Sequence, residues 1–156
     1  MDEDSCVLTV GKYFMHFTGY QPKLTVSEEF CEDIPATGET IIVLDILEKT
    51  LRSVPTEFRI IRAGIDETNA KTIEDNTFYL LPFSDYPGGT ISITDLTFPE
   101  AGDFVGLVTV NFDDGPVVSR FPFSVGKGGG IPMYAWLLVF MLIGAGFYYT
   151  KIVKKS

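Results

Sequence analysis

The sequence predicts an all-β antiparallel sandwich of about seven strands over residues 1–125, followed by one C-terminal transmembrane helix. Three observations carry this. Short β-rich runs recur between turn signals, with no convincing amphipathic helix among them. A run of 19 residues without a charge extends from Ile131 to Tyr149. Charge divides the chain at the same place: residues 1–126 hold 8 Lys/Arg against all 21 Asp+Glu, a balance of −13, whereas residues 127–156 hold 4 Lys and no acid. The two parts therefore face different solvents.

The first β-rich run, Val7 to Phe17, ends at Thr18-Gly19-Tyr20-Gln21-Pro22. Thr40 to Leu47 (TIIVLDIL) is apolar enough to be a central, buried strand. Glu57 to Arg62 is the third, and Thr77 to Leu81, bounded by Pro82, the fourth. Thr90 to Phe98 alternates Ile91, Ile93 and then Leu96, Phe98, so a bulge is expected near Asp95. Asp103 to Phe112 alternates, and Asp113-Asp114-Gly115 turns it tightly into the last strand, Val117 to Val125. Gly126-Lys127-Gly128-Gly129-Gly130 is a short flexible linker that keeps the domain near the membrane surface.

At about 1.5 Å per residue the uncharged run spans roughly 28 Å, close to the apolar thickness of a bilayer. The helix is placed at 131–150. Tyr134 and Trp136 at one end and Tyr148 and Tyr149 at the other form the aromatic belt expected at the two interfaces. Pro132 suits a first helical turn, where a missing N–H costs nothing. Lys151, Lys154 and Lys155 place the basic tail of residues 151–156 in the cytoplasm by the positive-inside rule. The acidic domain then lies outside the plasma (inner) membrane, periplasmic or extracellular. Met1-Asp2-Glu3-Asp4 has neither a basic n-region nor an apolar h-region. Either a signal peptide has been removed, which the cysteines favour, or the protein is tail-anchored with its domain in the cytosol.

The two cysteines, Cys6 and Cys31, are most simply one disulfide in an exported domain. Closing that loop would add roughly 3 kcal/mol in the chain-entropy model. A thiolate metal site is the functional alternative, although a pair 25 positions apart has no CxxC spacing.

Pro99-Glu100-Ala101-Gly102-Asp103-Phe104-Val105-Gly106, the Val/Thr strand after it, Asp113-Asp114-Gly115, and Ser119-Arg120-Phe121-Pro122-Phe123-Ser124-Val125 together resemble the last hairpin of small exported immunoglobulin-like domains, such as the YtkA-like and FixH-like families. The likeness covers the final third of the exported part. It implies an immunoglobulin-like sandwich tethered to a membrane, in company with copper proteins or oxidase assembly. The chain departs from the immunoglobulin pattern in having Phe104 where the corner tyrosine usually stands.

Chemistry is sparse. His16 is the one histidine, no GxSxG, HExxH or P-loop pattern occurs, and the paired acids sit in turn-rich segments, so the chain is read as non-enzymatic. The acidic balance opposes nucleic-acid binding. Met15 and His16 are a soft donor beside an imidazole, a pairing suited to copper, but adjacent strand residues point to opposite faces. Tyr13, Phe14, Phe17, Tyr20 and Phe83 are candidate partner contacts, and Gly144 and Gly146 would allow close helix packing. The leading expectation is an accessory subunit without a cofactor. Its partners would be integral membrane subunits, the lipid bilayer and a basic soluble electron carrier attracted by the negative charge. The rival is a tethered periplasmic copper-binding or copper-delivery domain using His16, Met15 and the cysteines.

Overall fold

Period-two alternation of apolar residues gives each strand one face to bury, and two such faces packed together make this core. The computed structural model describes residues 6–25, 28–127 and 141. Its strands are β1 (Val7–Val10), β2 (Tyr13–Tyr20), β3 (Asp33–Ile34), β4 (Gly38–Ile46), β5 (Thr56–Arg62), β6 (Thr77–Ser84), β7 (Thr90–Phe98), β8 (Gly102–Phe112) and β9 (Gly115–Val125), with a 3-10 helix at Lys49–Ser53 and α1 at Ala70–Asp75. A four-stranded sheet of order β1-β2-β4-β7 faces a five-stranded sheet of order β3-β9-β8-β5-β6. The short β3–β9 pair is parallel; the other pairs are antiparallel.

The all-β sandwich is as expected, with nine strands in place of about seven. The run Val7–Phe17 is two strands, because Gly11 takes φ +63° and turns the chain so that Val10 pairs with Tyr13. The two residues of β3 are too few to show any period. β6 continues through Pro82, which an edge strand tolerates because its outer N–H positions need no ladder partner. β4 lies inside its sheet but is buried on one face only: Thr40, Ile42, Leu44 and Ile46 point inward, while Ile41, Val43 and Asp45 are half-buried on the other side. The bulge near Asp95 is present, since Thr40 pairs with Leu96 but Ile42 with Ile93. It turns Asp95 toward Tyr79, whose hydroxyl donates to Oδ1 at 3.2 Å.

Aromatic rings fill the space between the sheets. Phe98 and Phe104 meet edge-on at 4.9 Å, Phe104 stacks on Phe123 at 5.8 Å, and Phe17 lies 4.5 Å from Phe121. The Phe121 ring covers Gly106 so closely that a Cβ there would overlap it. A second, smaller cluster of Ile61, Val105 and Leu107 lies on the outer face of the five-stranded sheet, under Ala63, Ile65 and Ile73. This cover is why Phe104 through Val108 are all buried and β8 does not simply alternate.

Among the described residues no helix is long and apolar enough to cross a membrane. Apart from Met141, the expected span at 131–150 lies outside the described residues, and with it Tyr134, Trp136, Gly144, Gly146, Tyr148 and Tyr149; so do Lys151 and Lys154.

Candidate functional site

The sandwich is open along one side, where β1 borders one sheet and the upper part of β9 borders the other. β3 reaches only Ser124 and Val125 of β9, so the strand above them has no neighbour on that side. Cys6, just before β1, and Cys31, just before β3, form a disulfide across this opening, with Cα atoms 4.9 Å apart. The expected pairing is therefore present. Above it lies a cleft of about 330 Å³, open to solvent. Phe17 and Phe121 line its floor, and Glu32, Ser119 and Arg120 its polar wall. Ser119 is a buried hydroxyl in an otherwise apolar inward series, and it donates to the Thr9 carbonyl at 2.6 Å, tying the two edges together. Arg120 donates from Nε and a terminal nitrogen to the two Glu67 oxygens at 2.7 and 2.9 Å. Those bonds raise the guanidinium's pKa above its ordinary value and balance its charge with a carboxylate.

Two other surfaces carry exposed apolar groups. On the outer face of the five-stranded sheet, beside α1, a groove of about 520 Å³ is lined by Leu80, Leu107, Val118 and Ile73. The Glu57–Arg59 pair at 3.4 Å forms its polar end. At the end of the molecule away from the chain exit, Tyr13 stacks on Phe112 at 5.6 Å, with the Lys12 ammonium 5.3 Å from the Tyr13 ring.

The expected contact residues divide between surface and core. Phe14 and Phe83 are 46% and 47% exposed, and Leu47, whose N–H donates to the Phe14 carbonyl, is also exposed. Tyr13 and Tyr20 are half-buried. The Tyr20 hydroxyl donates to Glu29 at 3.0 Å, and its pKa is raised, first by desolvation and then by that bond. Phe17 is corrected: it is 3% exposed, packed between Phe121 and Phe123, and shows only a sliver of its ring at the floor of the cleft. Its place on the same strand face as Met15 dictates this.

The Met15–His16 pair is divided in the same way. Met15 is fully buried in the core. His16 lies on the outer face of the four-stranded sheet, opposite Val7 and Asp45, with Nδ1 3.1 Å from the Thr18 hydroxyl. The structure does not bring the two together around one point. Among the described residues no group of three or more His, Cys, Asp or Glu side chains is placed to hold a metal ion. The cleft residues Ser119, Arg120 and Phe121 stand in the sequence only as part of the last hairpin, with no site role assigned to them. Ser119 is the signal that could have found them, a lone polar residue in the inward series Val117, Phe121, Phe123, Val125.

The chain leaves the domain at a fixed point. Gly126 takes φ +71°, with Ala101 and Thr37 packed where a side chain would stand, and its N–H donates to the Ile34 carbonyl at 2.8 Å. Lys127 is ion-paired with Asp103.

No family model and no curated protein matches the chain. Among solved structures it is similar to the crystal structure of the PmoD soluble domain from Methylocystis sp. ATCC 49242 (Rockwell). The identity is 36% and the TM-score 0.71, over 78% of this chain and 98% of that one.

Proposed function

The chain belongs to the family of the PmoD soluble domain, and from that premise we propose that it is a non-enzymatic accessory subunit of a larger membrane complex, of respiratory or copper-oxidase/monooxygenase type. One helix anchors it in the inner (plasma) membrane, with the C-terminus cytoplasmic, and the acidic sandwich docks on the complex's periplasmic or extracellular face. The carrying observation is the join between domain and anchor. Gly126 and Lys127 are fixed to the body of the sandwich, so only Gly128-Gly129-Gly130 separate it from the uncharged run that starts at Ile131. At about 3.4 Å per extended residue this holds the domain within roughly 10 Å of the anchor. The family supports this division, since its solved member is called a soluble domain and this chain extends beyond the matched part. The exposed Phe14, Leu47, Leu80 and Phe83 are the surface such docking would use. The charge excess favours basic partners, including a soluble electron carrier. The test is purification of the full chain in mild detergent through a tag after Ser156. A multi-subunit membrane assembly in near-equal stoichiometry is expected, and a protein that arrives alone overturns the reading.

A second reading, a tethered copper-handling domain, is favoured by one observation: two cysteine sulfurs meet at a solvent-open cleft. In the disulfide neither sulfur is a thiolate donor. Reduced, both would be soft ligands suited to copper, and the other donors would come from outside the Met15–His16 pair. Copper retained by the reduced full chain and lost in the Cys6→Ser, Cys31→Ser variant would support this; equal copper in both would exclude it.

A further inference from the structure

We infer that Cys6–Cys31 is a reversible dithiol–disulfide pair, opened by a small thiol entering the cleft between β1 and β9. This goes beyond the docking role and does not depend on it.

The first argument is that both cysteines are held in place without their covalent bond. The Cys6 carbonyl accepts from Phe17 N at 2.7 Å, and the next residue begins the β1–β2 ladder. On the residue before Cys31, Phe30 and Gly19 exchange two backbone bonds of 2.7 and 2.9 Å. On the residue after it, the Glu32 carbonyl accepts from Ser124 N at 2.7 Å, and β3 then pairs with β9. The Asp33 carboxylate also accepts from the Ser124 hydroxyl at 2.6 Å. A disulfide acts mainly by restricting the unfolded chain. Reduction would free that chain while leaving these contacts, so the two thiols would remain facing each other, ready to re-form the bond.

The second argument is access. The cleft opens directly on the disulfide. Cys31 is half-buried, whereas Cys6 is 9% exposed, so attack falls on Cys31 Sγ. The thiolate is the attacking species; Arg120 is balanced by its two bonds to Glu67, and Glu32 adds a negative charge at the wall, so access and not charge favours the attack.

The chemistry is ordinary exchange. A thiolate RS⁻ bonds to Cys31 Sγ, the Cys6–Cys31 bond breaks, and its electron pair leaves on Cys6 Sγ. A second RS⁻ attacks the R-bearing sulfur of the mixed disulfide, forming RSSR as the bond to Cys31 Sγ breaks and its electron pair leaves on the Cys31 thiolate. The chain gains two electrons, and the two protons lost by the thiols end on Cys6 and Cys31.

The experiment equilibrates the full chain in mild detergent with glutathione buffers of graded redox ratio, starting from both oxidised and reduced protein. Thiols are counted by alkylation and intact mass, and far-UV circular dichroism is followed in parallel. We expect two thiols to appear in one transition, with the same midpoint from both directions and an unchanged β spectrum. Peptide mapping of the trapped mixed disulfide should find glutathione on Cys31. Thiols that appear only after denaturant, or a β spectrum that collapses as they appear, would make the bond a structural staple and overturn the proposal. Glutathione found on Cys6 would contradict the assigned attack.

Discussion

At the scale of single residues, a strand face decides what a side chain can do. Met15 and His16 are neighbours in sequence, but one is in the core and the other on the outer face of its sheet. Met15→Ala should therefore cost about 2–5 kcal/mol in urea unfolding, as core truncations do. His16→Ala should cost about 1 kcal/mol or less. Equal costs would mean that the two share an environment. This division was legible in the sequence, because alternation alone puts Met15 and Phe17 on one side and Phe14 and His16 on the other. Alternation cannot say which side is covered, so Phe17 read as surface as readily as Phe14. Asp66 gives a second residue-scale prediction. The Thr68 hydroxyl and N–H donate to its carboxylate at 2.6 and 3.0 Å, and those bonds hold its pKa below the ordinary 3.8. A depressed carboxylate contributes stability above its unfolded value, and that contribution is lost as pH falls through the folded value. Thr68→Val should raise the Asp66 midpoint in a carbon-detected NMR titration; an unmoved midpoint would assign the shift to something other than the hydroxyl.

At the scale of elements, hairpins with strong turn signals were legible and short elements were not. Asp113-Asp114-Gly115 turns β8 into β9 as read, and the bulge opposite Ile41 sits at Asp95 because the apolar alternation slips there. The hairpin at Gly11 was read through because Gly11-Lys12 is only two residues long, although the inward positions change parity across it, from Leu8 and Val10 to Met15 and Phe17. β3 and α1 escaped because two and six residues cannot display a period. The cleft was illegible for a related reason: it depends on β3 stopping short of the upper part of β9. Packing between elements is tested best at Gly106, where β8 passes under the Phe121 ring. Adding a methyl must displace that ring from its place against Phe17 and Phe58. Gly106→Ala should destabilise the domain by about 1–3 kcal/mol, the usual cost of overpacking, seen as a lower thermal midpoint. An unchanged midpoint would show that the ring moves freely and that this contact does not hold the sheets together.

At the scale of the whole molecule, the edges of both sheets are protected against strand addition. β1 is four residues long, β7 is bulged, β6 contains Pro82, and β9 carries Pro116 and Pro122 at the two ends of its open stretch. A partner would therefore meet side chains rather than a bare ladder. The exposed apolar side chains nominate the places: Phe14 with Leu47 on one sheet, and Phe83 with Leu80 along β6 on the other. The direct test places a photo-crosslinking amino acid at Phe14 or Phe83 of the full chain in its own membrane, irradiates, and identifies the adducts by mass spectrometry. Docking on a membrane complex predicts adducts with an integral membrane protein from at least one of the two positions. A chain that is anchored in the membrane yet gives no such adduct from either would contradict the account.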